Sequence, residues 1–290
     1  MTRSFNEQSR VDEVLRRVDV AGRRILITGV SAGLGVETAR SLIARGAIVV
    51  GTARDRAKAE RAIGPRRGAF ELLELDLASL SSVRACAETL LRRALPFDVV
   101  ICNAGVMACP RGVTADGFET QFGTNHLGHF LLVNRLLPLL RAGSRVVVLS
   151  ADGHRIADVD LDDPNFERTA YEPFIAYGRS KTANALFAAA FDRRHRGRGI
   201  RAVAVHPGRI RTELTRHLPA EQRDVPALGW KTIPQGAATT AWAGFVADPN
   251  EVGGRYVADC RVANLAPHAL DAAHAEALWV KSEAMVGERF

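Results

Sequence analysis

Apolar residues along this chain recur in short continuous runs, each followed by a longer run with helical spacing and then a turn. The short runs Arg24–Thr28, Ala47–Thr52, Phe70–Leu75, Asp98–Cys102, Arg145–Leu149 and Ile200–Val205 predict strands, with a weaker one at Arg255–Ala258. Most are unbroken rather than alternating, the pattern of strands buried on both faces of a parallel sheet. Gly35–Arg45, Ser79–Arg93, Gly117–Leu140, Ala176–Arg194 and Gly236–Phe245 predict the intervening helices. Such alternation predicts a doubly wound α/β fold of about seven parallel strands with helices on both faces. Ligands of such sheets bind beyond the carboxyl ends of the strands, so the chemistry is expected in the segments that follow them. Residues 1–22 read as an N-terminal leader with a short helix over Val11–Val18, and 23–290 as one domain. Arg209–Pro234 has weak periodicity and reads as an insertion (209–234) over the ligand cleft.

Composition narrows the class. The 290 residues are 47 % hydrophobic and 24 % charged, which is too balanced for a disordered chain. Net charge is +7, from 39 basic and 32 acidic residues. Only four of the basic residues are lysines (Lys58, Lys181, Lys231, Lys281), and the arginines are scattered, as on a solvated surface rather than a nucleic-acid face. Four cysteines without CxxC spacing predict neither a disulfide framework nor a metal site. No uncharged apolar stretch approaches the ~18 residues of a membrane span, and the polar start MTRSFNEQSR lacks a signal-peptide core. The expectation is a soluble cytoplasmic protein.

The first strand runs directly into Thr28-Gly29-Val30-Ser31-Ala32-Gly33-Leu34-Gly35, which opens a helix. Glycines at this spacing allow a tight turn, a close backbone approach to a pyrophosphate and close helix–strand packing. The helix start then offers unpaired N–H groups and its positive dipole end. This is a Rossmann-type dinucleotide signature, with Gly29, Ser31, Gly33, Leu34 and Gly35 as cofactor contacts. The second strand leads into Ala53-Arg54-Asp55-Arg56, with no acid at the strand end to accept a ribose hydroxyl. Arg54 is placed for a 2′-phosphate, and Asp55 for capping the next helix, so NADP(H) is favoured over NAD(H).

Tyr177 and Lys181, spaced i, i+4 at the head of an alanine-rich helix, share one helix face. An ammonium one turn from a phenol favours phenolate and brings the phenol toward working pH. Together with Thr28–Gly35, Asp76-Leu77, Asn103-Ala104-Gly105, Asn125, Pro207-Gly208 and Thr212, the pair makes the chain resemble the short-chain dehydrogenase/reductase family over about residues 22–260. The run Phe118–Phe130 is most similar to its retinol-dehydrogenase-like and protochlorophyllide-reductase-like branch. The resemblance implies that Tyr177 exchanges a proton with the substrate oxygen while Lys181 binds the nicotinamide ribose. It implies that Asn125 holds a water linking Lys181 to solvent. Asp76 and Leu77, with Asn103, Ala104 and Gly105, are implied on the adenosine side, and Pro207, Gly208, Ile210 and Thr212 at the nicotinamide. The implied activity is NADP(H)-dependent interconversion of an alcohol and a carbonyl on a largely apolar small molecule. Family members are often dimers or tetramers, and this sequence does not choose among monomer, dimer and tetramer.

One position departs from the family's pattern. In Val147-Val148-Leu149-Ser150-Ala151-Asp152-Gly153-His154, the usual catalytic serine aligns with Ala151. Ser150 does not replace it simply, because adjacent strand residues face opposite ways. Three readings stay open: another donor replaces the serine, the site is a disarmed NADP-binding protein, or the scaffold performs non-redox lyase or cyclase chemistry. Asp152 and His154 read as loop caps.

Overall fold

The computed structural model describes residues 5–65, 68–219, 221 and 229–290. Eight strands form one sheet in the order β3-β2-β1-β4-β5-β6-β7-β8. They are β1 (Arg24–Thr28), β2 (Ile48–Ala53), β3 (Phe70–Glu74), β4 (Phe97–Cys102), β5 (Leu140–Leu149), β6 (Arg201–His206), β7 (Tyr256–Ala258) and β8 (Arg261–Val262). The first seven pair in parallel. The eighth is a correction to the seven expected: an exposed two-residue edge strand that turns back antiparallel onto β7.

Alternate residues of each central strand enter two different cores. Leu26, Val50, Val100, Val146 and Val148 face one layer, and Ile25, Val49, Val99, Val147 and Val203 the other. The first layer is covered by α4 (Leu80–Arg93), α5 (Gly128–Arg135), α6 (Pro173–His195) and α8 (Ala272–Val286). The second is covered by α1 (Val11–Val14), α2 (Gly33–Ile43) and α7 (Ile233–Phe245), with α3 (Arg56–Ile63) over its edge. Burial on both sides is why the strands read as unbroken apolar runs.

Two elements differ from expectation. The helix predicted over Gly117–Leu140 starts late, because the Glu119 carboxylate accepts the Gln121 and Phe122 amides. A π-type turn, Gly123–Leu127, follows before α5, and Leu140 already belongs to β5. Helix α8 was not anticipated; it lays Leu278, Trp279 and Val286 on the first core layer. The chain reverses its direction of travel across the sheet between β1 and β4, and the ligand crevice is expected there.

Candidate active site

A cavity of about 950 Å³ opens at the carboxyl ends of β1, β2, β4, β5 and β6. At one end lies the glycine turn: Gly29, Ser31, Gly33 and Leu34 line it. Gly29 and Gly33 take positive φ (76° and 59°), which only glycine adopts at little cost. Gly35 lies behind the wall rather than in it. A methyl group there would stand 2.2 Å from Gly29 O and 2.6 Å from Asn103 Nδ2, so its role is close packing. Thr28 fixes the turn to the next segment: its Oγ1 accepts the Asn103 and Ala104 amides at 2.9 and 3.0 Å. Asn103 Nδ2 returns the tie by donating to Thr28 O at 2.8 Å.

Arg54 also lines the cavity, immediately beyond β2. Asp55 is occupied as the α3 cap, accepting the Lys58 amide at 2.9 Å. Lys58 lines the cavity one turn along and meets the carboxylate of Glu213 from the segment after β6. Asp76, Leu77, Asn103, Ala104, Gly105, Pro207, Gly208, Ile210 and Thr212 also line the cavity. The insertion is pinched at its base, where Ile210 bridges Lys231 and Lys231 N–H donates to Arg209 O. Residues 220 and 222–228 of that insertion lie outside the described ones. Met107 and Glu213 also line the cavity, and Thr124, His206 and Lys58 line it without having been anticipated. Of these, Lys58 had a readable signal, standing four residues after Arg54.

Tyr177 and Lys181 enter from the first turns of α6, 6 % and 5 % exposed, with Lys181 Nζ 5.5 Å from the Tyr177 ring centroid. The ring packs on Gly153, where a methyl group would come within 2.8 Å of it. Lys181 Nζ donates to Leu149 O at 3.1 Å. Burial, which penalises charge, lowers the Lys181 ammonium to about 8 and raises the Tyr177 phenol above its ordinary value. This corrects the expectation of a phenol drawn down by its lysine: desolvation dominates, and the phenol is held protonated at neutral pH. Asn125 is fully buried and does not line the cavity. Its Oδ1 accepts the Val106 amide at 2.8 Å, and its Nδ2 donates to Ser180 Oγ at 2.9 Å.

Residues 29–244 match the family profile described as enoyl-(acyl carrier protein) reductase. Retinol dehydrogenase 14 of Mus musculus is 43 % identical over 289 residues, spanning 92 % of this chain and 86 % of the relative. The chain belongs to the short-chain dehydrogenase/reductase family. The short-chain dehydrogenase/reductase prx1 of Penicillium roqueforti is 36 % identical over 300 residues, spanning 95 % and 86 % of the two chains. The solved structure of an uncharacterized Mycobacterium paratuberculosis protein superposes with a TM-score of 0.81 at 38 % identity, covering 95 % of this chain and 97 % of that one. Within the family the match is to the retinol-dehydrogenase-like branch, and the chain is an oxidoreductase acting on a CH–OH/C=O pair with a nicotinamide cofactor. The lyase or cyclase alternative finds no support among these relatives. Among the described residues no helix is long and apolar enough to cross a membrane, and no group of acidic, His or Cys residues is arranged for a metal ion.

The short-chain dehydrogenase/reductase frame makes the stretch after β5 its most unusual part. Ser150 also lines the cavity; its N–H continues the ladder by donating to Val205 O, and its Oγ is committed to Lys181 O at 2.8 Å. Ala151 then lines the cavity, its carbonyl held by the amide and the Nδ1 of His154 at 3.1 and 2.7 Å. His154 accepts the Ala266 amide on Nε2 and is a loop fastener, as expected. Asp152 is fastened by His206 Nε2 at 3.4 Å and by the Tyr256 hydroxyl at 3.3 Å. These partners hold its carboxyl well below the usual carboxylate range, His206 contributing most.

Proposed function

We propose that this enzyme reduces and oxidises a carbonyl/alcohol pair on a largely apolar small molecule with NADP(H). One observation carries the reading. A single cavity joins the glycine turn, Arg54 and Lys58 at one end to Tyr177 and Lys181 at the other. The residues fit such a cofactor: glycines where an added methyl group would block a backbone cradle, and two cations where a 2′-phosphate belongs, with the neighbouring Asp55 carboxylate capping α3. Gly29, Ser31, Gly33, Leu34 and Gly35 would form the pyrophosphate turn. Asp76, Leu77, Asn103, Ala104 and Gly105 would hold the adenosine side, and Pro207, Gly208, Ile210 and Thr212 the nicotinamide.

When bound, the nicotinamide supplies or accepts the hydride at the substrate carbon. In the reducing direction Tyr177, kept protonated by burial, gives its proton to the carbonyl oxygen. Lys181 stands beside it to restore that proton, and Asn125 holds the segment behind it. With Ala151 in place of a hydroxyl donor, Tyr177 polarises the carbonyl alone. Met107, Ile156, Phe174, Leu214, Leu218 and Trp230 line the remaining cavity and support an apolar substrate, as do the names of the retinol dehydrogenase relatives. On this reading residues 23–290 act as one cofactor-binding unit, and the described cavity-lining residues of the 209–234 insertion, from Arg209 to Leu218 and Trp230, border the substrate end. All four cysteines are free and buried, which supports a reducing cytoplasmic location.

The test is NADPH oxidation on a panel of aldehydes and ketones, alongside NADH. Turnover of long apolar carbonyls with a preference for NADPH is expected. Product formed in a Tyr177-dependent way with no net nicotinamide oxidation would overturn the redox reading.

A further inference from the structure

One fully enclosed titratable group near the site is left unused by the chemistry above. His129 is completely buried, one turn beyond Asn125. Its Nδ1 lies 2.9 Å from Asn125 O and its Nε2 lies 2.9 Å from Thr28 Oγ1. The proton positions follow from the partners. A carbonyl only accepts, so Nδ1 carries the hydrogen. Thr28 Oγ1 already accepts the Asn103 and Ala104 amides; of the two acceptors within reach of its own hydrogen, Nε2 at 2.9 Å and Ile101 O at 3.5 Å, the unprotonated Nε2 is the nearer and takes it. Burial, with the Lys181 charge adding to it, lowers the imidazole to about 4 and keeps it neutral in this arrangement.

The chain of bonds continues on both sides. Beyond Asn125, Nδ2 donates to Ser180 Oγ at 2.9 Å, and Ser180 Oγ donates to Tyr177 O at 2.8 Å. An unbroken buried line therefore runs from the Asn103–Ala104 turn through Thr28, His129, Asn125 and Ser180 to the main chain of Tyr177. Thr28, His129, Asn125 and Ser180 are each 0 % exposed, so every lost partner leaves a polar group stranded.

We propose that His129 is a positioning residue that ties the cofactor turn to the tyrosine helix by holding Thr28 Oγ1 and Asn125 O at once. This rests on the nicotinamide reading only for what the two ends do. Two substitutions separate the ends. His129→Asn keeps a donor near the Nδ1 position for Asn125 O and cannot reach Thr28, whereas His129→Phe loses both contacts.

The experiment measures NADPH affinity by fluorescence titration and kcat by carbonyl reduction. His129→Asn is expected to raise the NADPH Kd by roughly tenfold with kcat within about twofold of wild type. His129→Phe is expected to raise Kd similarly and to lower kcat by roughly tenfold as well. Thr28→Val should raise Kd, and adding His129→Asn to it should raise Kd no further, because the histidine acts on the cofactor end through that hydroxyl. If His129→Phe does not fold, the Asn and Val variants still decide. Should the wild type bind neither NADPH nor NADH, the functional reading fails on its own. The coupling is then read from amide hydrogen exchange, which His129→Asn should speed at Asn103 and Ala104. Variants with lowered melting temperature but wild-type Kd, kcat and additive effects would make His129 mere packing and overturn the proposal, as would unchanged exchange at those two amides.

Discussion

Ser150 Oγ donates to the main-chain carbonyl of Lys181 at 2.8 Å, so the one serine at the end of β5 is spent on the tyrosine helix. Ser150 and Ala151, the next residue, both line the cavity, but the Ser150 hydroxyl is committed to Lys181 O and Ala151 has none. The two positions are therefore not exchangeable, and mutation should tell them apart. Ala151→Ser places a hydroxyl where a developing oxyanion needs a donor, and should raise kcat by roughly 10²-fold while leaving cofactor affinity alone. Ser150→Ala should lower stability by about 1 kcal/mol and leave kcat within about twofold. Steady-state kinetics and urea unfolding on the two variants check this. A silent Ala151→Ser would mean that the carbonyl oxygen sits elsewhere in the cavity.

On the proposed reading, cofactor choice is made at the end of β2. Arg54 lines the cavity there, and the neighbouring acid, Asp55, is engaged by the Lys58 amide. Arg54→Ala should raise the KM for NADPH by roughly 10- to 100-fold, the range for losing a charge-assisted contact, and leave NADH kinetics nearly unchanged. Lys58→Ala should act in the same direction more weakly, since its ammonium is shared with Glu213. The ratio of kcat/KM for the two dinucleotides is the measurement. Equal losses with NADPH and NADH would show that neither cation reads the 2′-phosphate.

Gly35 tests the packing role against the contact role. Because a methyl group there would stand 2.2 Å from Gly29 O, Gly35→Ala must push the turn off α2. Overpacking of this kind costs roughly 1–3 kcal/mol. The expected result is a lower melting temperature together with weaker NADPH binding. Unchanged binding would show that the turn tolerates the displacement.

What the sequence made legible follows from how local each signal is. The glycine turn, Arg54 with Asp55, and the Tyr177/Lys181 pair each lie within a few residues, and Gly29, Ser31, Gly33, Leu34, Arg54, Asp55, Tyr177 and Lys181 all meet at one cavity. The break in the predicted Gly117–Leu140 helix depends on Glu119 taking two amides, which no apolar periodicity records. The expected fall of the Tyr177 phenol failed for a related reason. Spacing places a lysine beside a tyrosine but says nothing of how thoroughly both are removed from water. His129 was unreadable because its partners, Thr28 and Asn125, come from two segments that only the fold brings together.

Lys181 gives the sharpest pH test, because it is a buried cation without a carboxylate among the causes of its shift. Its ammonium has an ordinary value of 10.5 in the unfolded chain and about 8 in the folded one. Below pH 8 both states hold the proton, and the folded state carries the full desolvation penalty. Between about pH 8 and 10.5 the unfolded chain binds more protons than the folded one, so stability contributed at this site rises with pH across that window. Lys181→Met removes the penalty together with the bond to Leu149 O. The net expectation is an unliganded variant that is inactive yet more stable than wild type by about 2 kcal/mol at pH 7. That advantage should shrink toward zero by pH 10. Urea unfolding of both proteins at the two pH values decides the matter. A variant less stable at pH 7, or an advantage that does not narrow with pH, would mean that the lysine is better solvated in the folded chain than its burial implies.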